Sequence, residues 1–378
     1  MTCEECDKCR EMGYKFCIRC GESFTDAPEP EPVPVQEKGT LKESTLNKFV
    51  VPSMVLIFIA CIASVAVILM DYGPTMDLFE EKGIKLWIYF FAFFDLPKLT
   101  GMGSVLFWVF ISVTAIACTV VFLWKSKDAF RFDSTEYMES TKKTPLFWMG
   151  LLFGSSLLLE VILNGIFTML GMGVETPGGL IDLTLEEALM LFTEAAVWEE
   201  LMFRVLLFGL PVLIVGYALR EKGSWKHLFG GFGSSKLTIV LLIFSTLLFS
   251  IAHVDSWGFM KIFTVAIGGF MLGYVYMRFG LYASIVCHML NDFSMVWMLG
   301  ISDIFTSLLL IGILGLGLVN LPLLYKKTMK GIKKVKTMPL TCFSFEAIPV
   351  TDLQEETSQN EDNEESQDDQ DSQGPKTD

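Results

Sequence analysis

The chain has 378 residues, of which 52% are hydrophobic and 13% aromatic, with a mean hydropathy of +0.49 and a formal net charge of −14. Apolar runs of about 20 residues recur along it, long enough to cross the hydrocarbon core of a bilayer as helices, and no water-soluble core accounts for that pattern. The acidic balance does not describe the body of the chain, because eleven of the residues from 351 to 378 are Asp or Glu against one Lys.

The N-terminus is polar and cysteine-rich where a cleavable signal would show a basic stretch and an apolar run, so no signal peptide is expected and this end is expected in the cytoplasm. Five of the nine cysteines fall within the first 20 residues. Cys3-x2-Cys6, ten residues, and Cys17-x2-Cys20-Gly21 supply two thiolate knuckles, a pattern that resembles a short zinc ribbon over residues 1–24. Four thiolates close a tetrahedral site, which points to structural zinc. Cys9 with Cys6 is an alternative first knuckle, and Asp7 stands where such ribbons usually have Gly. The ribbon reads equally as a surface for a protein partner and as a folded cap with none. Residues 25–48 follow as an extended linker, stiffened by Pro28, Pro30, Pro32 and Pro34.

Residues 49–336 form the membrane domain. Eight spans are expected, near 50–70, 104–124, 146–170, 185–219, 237–254, 259–278, 280–299 and 303–325. Lysines and arginines cluster at 125–143, 220–236 and 326–336, which by the positive-inside rule places those loops and both termini in the cytoplasm, in a multi-pass protein of the cell membrane. The aromatic stretch from Ile84 to Phe94 is too short to cross upright and is expected to form an interfacial or re-entrant helix. Thr184 with Glu187 forms a capping-box pattern, and Pro211 is expected to kink or break the long span that follows. The short connection at 254–258 places His253 at a helix break inside the protein. Gly268, Gly269 and Gly273 make a small-residue face suited to close helix packing.

Three polar motifs interrupt these apolar runs: Glu199-Glu200-Leu-Met-Phe-Arg204, Phe249-Ser-Ile-Ala-His253 and His288-Met-Leu-Asn291-Asp292. A charge at the centre of a membrane helix costs about 2.5–3.5 kcal/mol, so a chain that keeps several there has a use for them. Glu200 and Arg204, four apart, share a helix face and suit an ion pair; Glu199 is rotated by about 100° and is left free to exchange a proton with water. A structural ion-paired patch is the alternative. A neutral His253 suits a water or a metal, and His288 with Asp292, again four apart, projects from one face toward an oxyanion or a metal, with Asn291 as a neighbour able to share that role.

In this order, on successive spans, the motifs resemble the CPBP family of intramembrane proteases, which includes CaaX prenyl endopeptidases and bacteriocin-processing and immunity proteins. The resemblance covers about residues 140–300 and rests on EExxxR, FxxxH and His followed four residues later by Asn or Asp. It implies an intramembrane endopeptidase in which Glu199 and His253 activate water while His288 and Asp292 stabilise the oxyanion. Asp292 stands where the prenyl endopeptidases have Asn. The resemblance leaves a catalytic metal open between zinc and none, and the chain has no HExxH motif.

The fold expected is therefore an all-α polytopic bundle of about eight membrane helices, preceded by the zinc ribbon and followed at 337–378 by a disordered acidic tail. Expected partners are the lipid bilayer and a membrane-associated protein or peptide substrate, with no nucleic acid. Two other functions fit the same residues: a non-proteolytic binding or immunity protein of the family, and an ion transporter using the buried carboxylates and histidines as a relay.

Overall fold

A computed structural model describes residues 41–131, 137–173, 180, 182–221 and 223–341. Cys3, Cys6, Cys17 and Cys20, the prolines of the linker and the acidic tail from residue 342 lie outside the described residues.

The fold is an all-α polytopic membrane protein. Helices α1 (Leu41–Met70), α2 (Tyr72–Lys82), α3 (Met102–Lys125), α4 (Tyr137–Thr141) and α5 (Pro145–Met169) precede the motifs. Helix α1 begins inside the stretch read as linker. The motif-bearing part comprises α6 (Leu185–Glu200), a π-helical segment (Leu201–Gly209), α7 (Leu210–Ala218), α8 (Lys236–Ala252), α9 (Val254–Trp257), α10 (Lys261–Phe279), α11 (Leu281–Asp292) and α12 (Ser294–Gly300), with α13 (Asp303–Val335) last.

Six of the eight expected spans are helices long and apolar enough to cross a bilayer, the stretch Leu185–Ala218 counting as one. The other two are shorter. Helix α8 has 17 residues, and the stretch expected at 280–299 divides into α11 and α12 at Phe293. Thr184 caps α6 as its sequence predicts: its hydroxyl accepts from the Glu187 amide while the Glu187 carboxylate accepts from the Thr184 amide. Proline 211 stands in the first turn of α7 without ending the helical span, and the turns before it widen into the π segment. Proline has no N–H for the carbonyl one turn back, so the preceding turns are free to adopt another hydrogen-bond register.

The segment read as a re-entrant helix over Ile84 to Phe94 is instead an antiparallel hairpin of β1 (Trp87–Tyr89) and β2 (Phe93–Asp95), extended by an Ile84–Leu99 bridge. Its aromatic and β-branched residues suit a pleated strand better than a helix, where their χ1 freedom is lost against the preceding turn. Pairing between the strands also satisfies backbone groups that an irregular chain would leave open.

Helices α1, α5 and α13 pack together, α5 continues onto α10, and α10 onto α8. Gly154 of α5 and Gly317 of α13 meet backbone to backbone, while Gly269 and Gly273 of α10 face Phe249 and Leu242 of α8. Helix α11 is central, lying against α3, α6 and α10 with every residue from Ala283 to Leu290 buried. That central helix carries His288; its neighbour α6 ends at Glu200, and α8, packed on α10, ends beside His253.

Candidate active site

Helix α6 delivers Glu199 and Glu200 at its last two positions, and the π segment that follows carries Arg204. Glu200 and Arg204 are wholly buried, with Arg204 Nε 3.5 Å from Glu200 Oε2. The guanidinium is held further by donation to Ser245 Oγ at 2.7 Å and to the Gly269 carbonyl at 3.2 Å, and it lies over the Phe249 ring. Glu200 accepts from the Ser284 hydroxyl and faces His288 Nδ1 across 3.0 Å. This carboxylate is saturated by structural partners.

Glu199 is different. Its side chain is 16% exposed, and its buried Oε2 has no hydrogen-bond partner. That oxygen faces two imidazoles, His253 Nε2 at 3.9 Å and His288 Nε2 at 3.7 Å. Both separations are too long for direct hydrogen bonds and suit a bridging water.

His253 caps α8, and its Nδ1 lies 2.8 Å from the Phe249 carbonyl. A carbonyl only accepts, so Nδ1 carries a proton, and Nε2 points toward Glu199. His288 spends its ring between acids: Nδ1 faces Glu200, and Nε2 lies 3.3 Å from Asp292 Oδ2. Both nitrogens are satisfied when both carry protons. Asn291 Nδ2 donates to Asp292 Oδ1 at 3.2 Å, so it steadies Asp292. All seven candidate residues are thus in one neighbourhood, with Glu199 facing the open gap and Glu200–Arg204 forming the floor behind it.

Ser245 and Ser284, which lie outside the three motifs, complete this network. Each stands one turn before a motif residue, in Ser245-x3-Phe249-x3-His253 and Ser284-x3-His288-x3-Asp292, so a helical stripe of polar residues was the available signal. Two further carboxylates were missed: Glu194 of α6 is buried within electrostatic reach of Glu199 and His288, and Glu160 of α5 is within reach of Asp292 and Lys261.

Among the described residues, no three His, Cys, Asp or Glu side chains are disposed to hold one metal ion. His288 has both ring nitrogens engaged by carboxylates, which leaves it no free lone pair to offer.

Residues 183–294 match the family model described as type II CAAX prenyl endopeptidase Rce1-like. The match covers under a third of the chain, opening just before the Thr184 cap and closing just past Asp292, so it contains all three motifs. No curated protein and no solved structure gives a match. The match over residues 183–294, with its two glutamates, two histidines and closing aspartate inside a multi-pass helical bundle, supports membership of the CPBP family of membrane proteases.

Proposed function

We propose that the protein is an intramembrane endopeptidase that hydrolyses a peptide bond near the membrane interface, with Glu199 as general base. The observation that carries this reading is the unpartnered Glu199 Oε2 set between two imidazole nitrogens at 3.7 and 3.9 Å. A water in that gap gives its proton to Glu199 while the His253 Nε2 lone pair accepts its other hydrogen, leaving an oxygen lone pair to attack the scissile carbonyl. The carbonyl oxygen becomes an oxyanion and is met by the His288 Nε2–H, which turns from Asp292 Oδ2 to the oxyanion while Glu200 holds Nδ1. Glu199 then returns its proton to the leaving amine as the C–N bond breaks. Asp292 acts through His288: it holds the Nε2–H in place until the oxyanion forms, and Glu200 at Nδ1 stabilises the charged ring from behind.

The substrate proposed is a membrane-borne peptide, and the CAAX name of the matched family favours a prenylated C-terminal peptide over a leader peptide. The lysine-rich segment after the last span supports cytoplasmic termini.

The test compares new protein termini and released peptides in native membranes carrying the wild type or Glu199→Gln. The variant should insert and accumulate normally, because Glu199 Oε2 makes no hydrogen bond to lose. Cleavage should fall by about 10²–10⁴-fold, the usual contribution of a general base. Identical terminus profiles at equal abundance sink the protease reading and favour a binding or immunity role.

A further inference from the structure

The β1–β2 hairpin lies outside the family match, and its position on the bundle is unusual for a loop between spans. Its base is charged: Lys85 pairs with Asp95 at 2.6 Å, and nearby Lys82 pairs with Glu187 in the first turn of α6. The hairpin then runs along α6 away from this charged base. The Trp198 indole donates to the Trp87 carbonyl at 2.8 Å, and about 16 Å of helix separates Trp198 from Glu187. Beyond that point, Tyr89 packs on Phe203 at 5.4 Å between ring centroids, and Phe91 at the tip packs on Phe244 at 6.1 Å. Phe244 lies about 12 Å back along α8 from its His253 end. Two helices thus place the tip well inside the span.

The two faces of the hairpin have different surroundings. Trp87, Tyr89 and Phe93 share one face, and Trp87 and Tyr89 both lie on Phe203, which is itself fully buried. Ile88 and Phe94 point the other way, and Phe90, Phe91 and Phe94 are each more than half exposed. This outer surface borders α8 through Phe91 and Phe244, and both α8 and the spanning helix α3 carry exposed apolar stripes, Leu106, Phe110 and Val113 on α3 and Val240, Ile243, Leu247 and Ile251 on α8. Phe91 also has a φ of 60°, a left-handed conformation that costs a bulky residue roughly 1–2 kcal/mol and a glycine nothing. A phenylalanine held there is offset by what its ring contacts.

From these observations we propose that the hairpin is a re-entrant element whose outer face contacts lipid acyl chains and whose inner face seals the Glu199-bearing helix from lipid between α3 and α8. Pairing between the strands and the bond from Trp198 to the Trp87 carbonyl satisfy part of the hairpin's backbone, which lowers the cost of placing it in the bilayer. The seal rests on Trp87 and Tyr89, which cover Trp198 and Phe203, the residues just before and just after the two glutamates.

The test uses the full chain in phosphatidylcholine vesicles containing a phosphatidylcholine with a photoactivatable diazirine midway along one acyl chain, with adducts mapped by peptide mass spectrometry. Phe90, Phe91 and Phe94 should be labelled as readily as Ile243 and Leu247, and exposed Trp225 of the 219–235 loop should not. A hairpin unlabelled while α8 is labelled overturns the proposal. In a Trp87→Ala/Tyr89→Ala variant, Phe203 should become labelled while α3 and α8 keep their wild-type pattern; no gain at Phe203 refutes the seal. Neither readout depends on peptide hydrolysis, so the result stands whether or not the protease reading does.

Discussion

Arg204→Met removes the cation that faces Glu200 in a wholly buried pair. At 3.5 Å and an effective dielectric near 20, the pair's Coulomb attraction is about 5 kcal/mol, most of it offset by the cost of taking both ions out of water. Removing one partner restores none of that cost for the carboxylate left behind, so the expected destabilisation is about 3–5 kcal/mol. Glu200→Gln strands Arg204 in the same way, although Ser245 and the Gly269 carbonyl still engage its guanidinium. The double variant strands neither charge and should be more stable than the two single costs predict by about 2 kcal/mol. Equilibrium unfolding in mixed micelles, with denaturing detergent as titrant, yields all three free energies. Costs that add within about 0.5 kcal/mol would show that the two residues do not act as a pair and would refute the floor assigned to them.

Asp292→Asn keeps an oxygen for His288 Nε2 and should retain most cleavage, whereas Asp292→Ala should lose about 10²-fold in kcat with KM little changed; equal losses would show that Asp292 does not orient His288. Gly154→Ala would place its Cβ 2.5 Å from the Ile313 carbonyl oxygen and against the Gly317 backbone, where no side chain can swing aside. Its unfolding free energy should drop by about 1–3 kcal/mol, and a neutral outcome would contradict the close α5–α13 crossing. The full chain should carry about one zinc, measured by elemental mass spectrometry and lost in Cys17→Ser/Cys20→Ser; zinc-free protein purified without chelator would dispose of the ribbon.

Much of the site was legible as spacing. Residues four apart share a helix face whatever surrounds them, so spacing alone brings Glu200 to Arg204 and His288 to Asp292 and turns Glu199 away from the Glu200–Arg204 pair. The partners in a different motif were not legible in this way. Nothing along the chain says that His288 Nδ1 turns to Glu200, that Ser284 and Ser245 complete the buried network, or that Asn291 serves Asp292.

Hydropathy by itself determined the class of fold, because a segment of about 20 apolar residues is stable across a bilayer as a helix before it touches any neighbour. Capping chemistry likewise set the start of α6 at Thr184, since both hydrogen bonds are local. Tertiary packing decided the rest: the hairpin over Trp87–Asp95, the two-part α11–α12 crossing, the π segment between Glu200 and Pro211, and the gap between Glu199 and the two histidines. Each of these depends on how helices lie side by side, where small residues, aromatic faces and buried charges find partners far along the chain, and a one-dimensional pattern does not record those distances.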